Sequence, residues 1–264
     1  MNAPVGHEQN AQQSAYWNGR GGERWRDRQE VQDAQFAPIT DLLLARATPR
    51  VGERVLDVGC GCGAITLAFA ERVGAAGHVT GVDISVPMLG RARERAPSAA
   101  PVEFILADAT THAFPPAWFD LAVSRFGVMF FADPTAAFAN LRTGLRRGGR
   151  VVFVCWRAPD DNPWLTVPLA ATYEHTPPLP EAGPDDPGLF SFSSQERVER
   201  ILGDAGYTSI GLERHDFTLD IAAGRGLDEA VRAALAIGAT AHALEGQPPQ
   251  TRAAAADAIH AALT

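Results

Sequence analysis

The chain has 264 residues, 46% of them hydrophobic and 20% charged, which is the composition of an ordinary globular protein with one substantial core. A formal net charge of −8 without a basic block argues against nucleic acid as a partner. All 23 basic residues are arginine, which excludes Schiff-base chemistry on a lysine. No apolar run predicts a membrane helix and the polar N-terminus lacks a signal-peptide pattern, so we expect a cytoplasmic protein whose partners are small molecules.

The N-terminal part predicts a helical cover over residues 1–48. Residues 1–22 are expected to be a flexible polar lead-in, followed by helices over 23–36 and 39–47. Tyr16, Trp17 and Trp25 are candidates for an aromatic staple that holds the N-terminal helix, or equally for a cover over a bound ligand.

Residues 49–156 alternate between short apolar runs and helical stretches, and we interpret them as the core domain. Such alternation predicts an α/β fold: a doubly wound, mostly parallel sheet with helices on both faces. The predicted strands are 55–58, 78–82, 102–106, 121–124 and 151–156. The predicted helices are 64–73, 87–96 and 134–146.

The rest of the chain divides into a lid and a C-terminal region. Residues 157–192 are rich in proline and acid around one helical piece, 164–175, and follow the fifth strand, so they can cover the carboxyl ends of the strands. In residues 193–264 we expect a helix over 195–205, a sixth strand near 208–214, and helices over 227–244 and 250–263.

The most informative segment is Val55-Leu56-Asp57-Val58-Gly59-Cys60-Gly61-Cys62-Gly63-Ala64. A strand enters, glycines allow a tight turn close to a ligand, and a helix leaves. The spacing also fits a dinucleotide site. However, Asp57 precedes the first glycine where a dinucleotide strand usually has an apolar residue, and a carboxylate there suits a cationic ligand group.

Two further acids follow the next two strands. Asp83 closes the second strand about 20 residues after the glycines, where an acid can accept both hydroxyls of a ribose. Asp108 closes the third strand and can accept a hydrogen bond from an adenine amine. Three acids at successive strand ends favour an adenosine with an amino-acid tail over a pyrophosphate.

With these motifs, and with Phe119-Asp120-Leu121 and Leu145-Arg146-Arg147-Gly148-Gly149-Arg150, residues 50–156 resemble the class I S-adenosylmethionine-dependent methyltransferases. More narrowly they are similar to the bacterial small-molecule branch that includes quinone-biosynthesis methyltransferases. The resemblance implies S-adenosylmethionine as cofactor. It also implies a set of cofactor-binding residues: Asp57, Gly59, Cys60, Gly61, Asp83, Ile84, Met88, Asp108, Ala109, Ser124 and Trp17.

The sequence departs from this family at its C-terminal end. Such enzymes usually end with an antiparallel seventh strand beside the sixth, whereas this chain ends in a helical run, 253–263. The hydrophobic alternation also slips between Leu212 and Phe217. We therefore expect either a sheet without its final strand or one that is completed differently.

Two residues are candidates for catalysis. His112, four residues after Asp108, could accept a proton from an acceptor, or could be an ordinary surface histidine. Arg125, at the end of the fourth strand, could pair with a carboxylate or phenolate, or form a salt bridge with Asp133 or Asp120. Cys60, Cys62 and Cys155 lack the spacing of a metal site, so none is predicted. Trp156 and Trp164 could be core residues, but because they flank the lid they are candidates for an apolar substrate wall.

The predicted function is methyl transfer to a small acceptor, aromatic or polyketide-like, by a monomer or homodimer. Proximity and exclusion of water would drive the reaction, so no nucleophilic side chain is required. Two alternatives remain at this point. One is an NAD-dependent oxidoreductase that uses the same glycine loop, and the other is a protein that binds S-adenosylmethionine as a sensor or assembly partner without catalysis.

Overall fold

A computed structural model describes residues 5–181, 183 and 185–264. Its centre is a sheet of five parallel strands in the order β3-β2-β1-β4-β5. The strands are β1 (Arg54–Val58), β2 (His78–Asp83), β3 (Val102–Leu106), β4 (Phe119–Arg125) and β5 (Leu145–Val154). The order reverses between β1 and β4, and ligands of open parallel sheets bind at the carboxyl ends of the strands beside such a reversal.

Helices cover both faces of the sheet. The helices are α1 (Val5–Asn18), α2 (Arg20–Asp27), α3 (Gln29–Gln35), α4 (Ala37–Ala47), α5 (Ala64–Val73), α6 (Val86–Arg95), α7 (Pro134–Gly144), α8 (Pro163–Tyr173), α9 (Gln195–Asp204), α10 (Leu227–Ala236), α11 (Gly238–Ala243) and α12 (Pro249–Ala262). In this described part of the chain, none is long and apolar enough to cross a membrane. The predicted α/β class and the parallel sheet are therefore confirmed.

Successive side chains of β1 pack into two different cores, because neighbours on a strand point to opposite faces. Val55 joins the apolar cluster formed by α4 and α5, which includes Leu43 and Phe69. Leu56 joins the cluster on the other face, which includes Phe138 of α7. Burial on both faces explains why the strands are nearly continuous apolar runs.

The predicted flexible lead-in over residues 1–22 is wrong for its described part. Residues Val5–Asn18 form α1, and α2 begins at Arg20. The α1 sequence is polar all round, which hides the helix from a pattern based on apolar spacing. Contacts with the rest of the fold hold it instead: Asn10 Nδ2 donates to Asp108 and Asn18 Nδ2 donates to the Ile84 carbonyl, each at 2.8 Å.

The predicted sixth strand near 208–214 is also wrong. Residues 207–220 form no helix or strand, and Leu212 and Phe217 are more than a third exposed. The segment has no buried face to fix a register, and its charged side chains form exposed ion pairs, such as Arg214 with Asp216 and Glu213 with Arg46. No antiparallel strand occurs among the described residues.

The C-terminal helices pack on α8, the helix of the predicted lid. α8 contacts α10, α11 and α12, and the helices predicted as one over 227–244 divide at Ile237. An ion pair joins this assembly to the N-terminal helices: Arg28 Nη2 lies 2.6 Å from Glu229 Oε1 of α10, with both side chains mostly buried. The ion pair thus joins the N-terminal helices to α10.

Candidate active site

The loop between β1 and α5 turns sharply at Gly59, Gly61 and Gly63, which all have φ between 53° and 83°. Only glycine adopts this conformation at little cost. A Cβ on Gly61 would lie 3.8 Å from Met88 Sδ and 3.8 Å from Trp25 Nε1. The missing side chain therefore leaves a cradle where a ligand can approach the backbone.

Asp57 lies under this loop with a carboxylate that is only half satisfied. It is 1% exposed, and its Oδ2 accepts a 2.6 Å hydrogen bond from Thr66 Oγ1 of α5. Its Oδ1 is buried and has no hydrogen-bond partner among the described residues. Burial raises the pKa of this carboxyl to about 7. An unpaired buried carboxylate oxygen is costly unless a cation or donor reaches it.

Asp83 ties the glycine loop to the end of β2. Its two oxygens accept from the backbone N–H groups of Gly61 and Ser85, each at 2.8 Å. Burial raises the pKa of Asp83, while these hydrogen bonds oppose the rise. A carboxylate has about four acceptor sites, so each oxygen can still accept a ligand hydroxyl. Cys60 lies in the same turn, and its Sγ lies beside Gly81 of β2.

Asp108 follows β3, and each of its oxygens accepts one hydrogen bond. Oδ1 accepts from the Thr110 N–H and Oδ2 from Asn10 Nδ2 of α1, both at 2.8 Å. The next residue, Ala109, is buried, and its carbonyl accepts from Asn140. The Asn10 amide NH₂ thus donates to Asp108, the carboxylate for which the sequence predicts a hydrogen bond from the adenine NH₂.

The end of α1 closes over the start of α6. The Asn18 side chain donates to the Ile84 carbonyl and accepts from the Val86 N–H at 2.9 Å, and Ser85 Oγ donates to the Trp17 carbonyl at 2.6 Å. The Trp17 ring contacts Trp25 and Phe130 edge-on. Trp17 therefore lies beside the start of α6, close to the residues that are predicted to bind the adenine. Sequence reasoning missed Asn10 and Asn18, because a single asparagine in a polar segment has no recognisable pattern.

Ser124 and Arg125 lie inside the end of β4 rather than after it. The Ser124 hydroxyl donates to the Val58 carbonyl at 2.7 Å and accepts from the Gly127 N–H at 3.1 Å, so it joins β4 to β1. The alternative interpretation of Arg125, a salt bridge with Asp133 or Asp120, is wrong. Its Nη1 donates to Thr40 Oγ1 at 2.8 Å, and its guanidinium lies 5.6 Å from the centre of the Phe36 ring.

An aromatic wall runs from the glycine loop to α8. It consists of Trp25, Phe36, Phe126, Trp156 and Trp164. Phe36 is its centre: it stacks on Trp25 and contacts the other three rings at centroid distances between 5.3 and 6.1 Å. Trp156 stacks on Phe126 at 4.4 Å. The wall joins the predicted cofactor loop to the two tryptophans predicted to contact a substrate.

His112 is not brought together with these residues. Its ring lies edge-on against Phe114 at 4.8 Å, and Phe114 in turn contacts Phe119, the first residue of β4. That packing holds the His112 ring on Phe114, whereas Arg125 contacts Thr40 and Phe36. No group of three or more potential metal ligands occurs in the ranges that the structure describes.

Comparisons with known proteins agree with this geometry. Residues 55–149 match the family described as methyltransferase domain, which covers the segment from β1 through the first part of β5. The segment from β1 into β5 is therefore similar to methyltransferase domains. S-adenosylmethionine is the cofactor that this match implies, and the unpaired Asp57 Oδ1 is a group that suits its ammonium.

Two relatives represent the matches to sequence. Aklanonic acid methyltransferase DauC from Streptomyces sp. (strain C5) is 38% identical over 120 residues, covering 45% of this chain and 54% of that enzyme. The ubiquinone/menaquinone biosynthesis C-methyltransferase UbiE from Pectobacterium carotovorum subsp. carotovorum (strain PC1) is 28% identical over 172 residues, covering 61% of this chain and 68% of that enzyme. The chain thus spans about half the length of DauC.

The solved structure of the [4+2]-cyclase SpnF shares the fold, with a TM-score of 0.53 and 23% identity over 84% of this chain and 74% of that one. This likeness bears on the fold alone. The relatives are methyltransferases, as the resemblance in the sequence implies, and they give no support to a nicotinamide-dependent oxidoreductase.

Proposed function

We propose that this protein transfers a methyl group from S-adenosylmethionine to a small acceptor, aromatic or polyketide-like. The observation that carries the proposal is the buried, unpaired Oδ1 of Asp57 directly under the glycine loop of a methyltransferase domain. A nicotinamide dinucleotide would bring a pyrophosphate to this loop, and a buried carboxylate would repel it. The relatives named for aklanonic acid and quinone biosynthesis support a small-molecule acceptor.

When bound, S-adenosylmethionine supplies an electrophilic methyl group on a sulfonium. Asp57 would hold the ammonium of its methionine part, and Gly59 and Gly61 would let the backbone approach that part closely. Asp83 would accept the ribose hydroxyls with its remaining lone pairs. Asp108 and Ala109 would meet the adenine edge, with Ile84 and Met88 packed against the ring.

On the acceptor side, the chain would act mainly by position and by exclusion of water. The aromatic wall would offer an apolar surface next to the cofactor loop. The helix α8 contributes Trp164 to this wall. Arg125 lies beside this wall with a guanidinium that suits a phenolate or carboxylate. Holding two reactants in line accelerates a displacement without any nucleophilic side chain.

The decisive experiment has a binding arm and a turnover arm. Calorimetry should show that the protein binds S-adenosylmethionine and not NAD. Asp83→Ala should weaken that binding by about 1.5–3 kcal/mol, the range for hydrogen bonds that involve a charged group. Release of S-adenosylhomocysteine during a screen of phenols and enols would establish transfer. Binding without release on any acceptor would favour a sensor or assembly role.

The same proposal includes where the protein works and with what. We place it in the cytoplasm as a monomer or homodimer without a nucleic-acid partner, on the support of its acidic net charge and its small-molecule relatives. Gel filtration with light scattering would test the oligomeric state.

A further inference from the structure

Arg125, the last residue of β4, is a cation without a carboxylate partner in the described part of the chain. Its only side-chain hydrogen bond there is to a neutral group, since Nη1 donates to Thr40 Oγ1 of α4 at 2.8 Å. A guanidinium has five N–H donors, so most of the capacity of this one to bind an anion is not used by the protein. A cation that folding has partly buried in this way is costly unless an anion joins it.

The register of the sheet places Asp57 on the same face as Arg125. Asp57 of β1 pairs with Val123 of β4, and Val123 belongs, with Val55, to the apolar cluster formed by α4 and α5. Arg125 follows Val123 by two residues, so its side chain points to that same face. From the spacing of strands and the rise per residue, the Cα atoms of Asp57 and Arg125 lie about 8 Å apart.

Each of these opposite charges is hydrogen-bonded to a threonine and not to the other charge. Thr66 in the first turn of α5 donates to Asp57 Oδ2 at 2.6 Å, and Thr40 in the first turn of α4 accepts from Arg125. Asp57 Oδ1 stays buried without a partner in the described ranges. Burial raises the pKa of Asp57, and both the Thr66 hydrogen bond and the Arg125 charge oppose the rise, so the two charges influence each other without an ion pair.

The Phe36 ring connects Arg125 with the glycine loop. The Arg125 guanidinium lies 5.6 Å from the centre of this ring, and Trp25 stacks on the ring at 6.4 Å. Trp25 Nε1 in turn lies 3.8 Å from the position of a Cβ on Gly61. Arg125 therefore lies at the same end of the sheet as the Gly61 cradle and the unpaired oxygen of Asp57.

An unpaired carboxylate oxygen and a guanidinium without an anion, both on one face, suit a ligand that carries both charges. The methionine part of S-adenosylmethionine ends in an α-amino acid, which has an ammonium and a carboxylate on one carbon. Asp57 suits the ammonium. A guanidinium suits the carboxylate, because its hydrogen bonds to carboxylates are charge-assisted and can form in pairs.

We propose that Arg125 binds the carboxylate of S-adenosylmethionine while Asp57 binds its ammonium, so that the two residues together recognise the zwitterionic end of the cofactor. This inference rests on the proposed methyl transfer and adds a residue to the site of its cofactor. The carboxylate that suits Arg125 is thus the cofactor's own. A cofactor analogue without a carboxylate should lose the contribution of Arg125 and keep that of Asp57.

The test compares two ligands by calorimetry on the full chain at pH 8: S-adenosylmethionine and decarboxylated S-adenosylmethionine, which differs only by its missing carboxylate. The wild type should bind S-adenosylmethionine about 10- to 100-fold more tightly, the effect of hydrogen bonds between charged groups. Arg125→Met keeps the apolar stem and removes the charge, so it should lose this preference and bind the decarboxylated ligand as the wild type does. Asp57→Asn should weaken both ligands alike, because both carry the ammonium.

Two further variants supply a control and a second test. Arg147→Met makes the same change at an exposed position and should alter neither affinity. Arg125→Lys keeps a cation but cannot form paired hydrogen bonds, so it should reduce the preference for the carboxylate about threefold or more and leave the decarboxylated ligand unchanged. If Arg125→Met does not fold, Arg125→Lys carries the test.

The outcomes separate this inference from the proposed function. Equal binding of both ligands by the wild type, or an unchanged preference in the Arg125 variants, would overturn the inference. An equal loss of affinity for both ligands in these variants would also overturn it, because Arg125 would then have only a structural role. Failure of the wild type to bind either ligand would instead contradict the proposed methyl transfer.

Discussion

Gly59 and Gly127 pack backbone against backbone where β1 and β4 end. A Cβ on Gly59 would lie 2.7 Å from the Gly127 Cα, and a Cβ on Gly127 would lie 2.8 Å from the Gly59 Cα. Real Cβ atoms do not approach so closely, so each glycine requires the other. This contact sets the distance between the glycine loop and the turn that carries Phe126.

Gly59→Ala should destabilise the protein more than the same change at a glycine with open surroundings. Gly148 is the matched control, since its φ of 75° resembles the 68° of Gly59 but nothing lies near its missing Cβ. We expect Gly148→Ala to cost about 1–2 kcal/mol of unfolding free energy for the left-handed backbone. Gly59→Ala should cost roughly 1–3 kcal/mol more from overpacking. Urea denaturation measures both, and equal losses would contradict the contact.

Asp57→Asn should stabilise the free protein at pH 8 and weaken its binding of S-adenosylmethionine. The folded-state pKa of Asp57, about 7, lies above its usual value of 3.8, so this carboxyl favours the folded state below pH 3.8. That contribution is lost as the pH rises through 7, because the ionised form is then buried. Melting curves should therefore show a gain for the variant at pH 8 and a smaller one at pH 5.

The same substitution predicts a change in the pH dependence of cofactor binding. Wild-type affinity should fall as the pH drops below 7, because the protonated carboxyl no longer attracts an ammonium group. Asp57→Asn should bind about 10- to 100-fold more weakly at pH 8 and show little of this dependence on pH. An Asn variant with wild-type affinity across the range would remove Asp57 from the cofactor site.

Asn10→Ala should raise the affinity for S-adenosylmethionine. In the free protein the Asn10 amide donates to Asp108 Oδ2, so it competes with an adenine amine for that oxygen. Freeing the carboxylate should tighten binding about fivefold, as expected for one competing hydrogen bond. Gln12→Ala, an exposed change on the same helix, serves as the control. Weaker binding by Asn10→Ala would show instead that α1 contacts the cofactor directly.

His112→Ala tests whether this histidine is the base that the sequence suggests. A positioned general base contributes about 10²- to 10⁴-fold to a rate. Because the His112 ring packs on Phe114, we expect the variant to retain kcat to within about threefold between pH 6 and 9, with proximity as the main source of the acceleration. A loss of two orders of magnitude on a phenolic acceptor would restore the base.

The sequence predicts best where burial and glycine punctuation coincide. β3 and α5 have the predicted bounds, because an apolar run or stripe ends at a turn at both of their ends. The positions of Asp57, Asp83 and Asp108 near one edge of the sheet could also be predicted, since the carboxyl ends of parallel strands meet there. Their role in binding the cofactor stays a prediction. β5 begins earlier than expected, at Leu145, because Leu145 pairs with Phe119 of β4. The register of this strand pair then shifts between Phe119 and Leu121.

Features that depend on partners far away in sequence could not be predicted. α1 has no apolar stripe, and its side-chain bonds to Asp108 and Ile84 involve residues more than sixty positions away. The same holds for Arg125, whose partner Thr40 lies on a helix that precedes the sheet. In the sequence, Gln32 and Gln35 look like an ordinary polar helix face. In the fold both side chains are buried, which is unusual for glutamine.

The ion pair between Arg28 and Glu229 has a kinetic consequence. Arg28 holds the pKa of Glu229 below its usual range, so the pair stays charged at neutral pH. If cofactor and product exchange by an opening between the N-terminal helices and α10, that opening separates this pair and exposes both charges to water. Enzymes that enclose their reactants in this way are often limited by product release rather than by chemistry. Turnover in this protein would then depend on solvent viscosity and on ionic strength, although neither affects the methyl transfer itself.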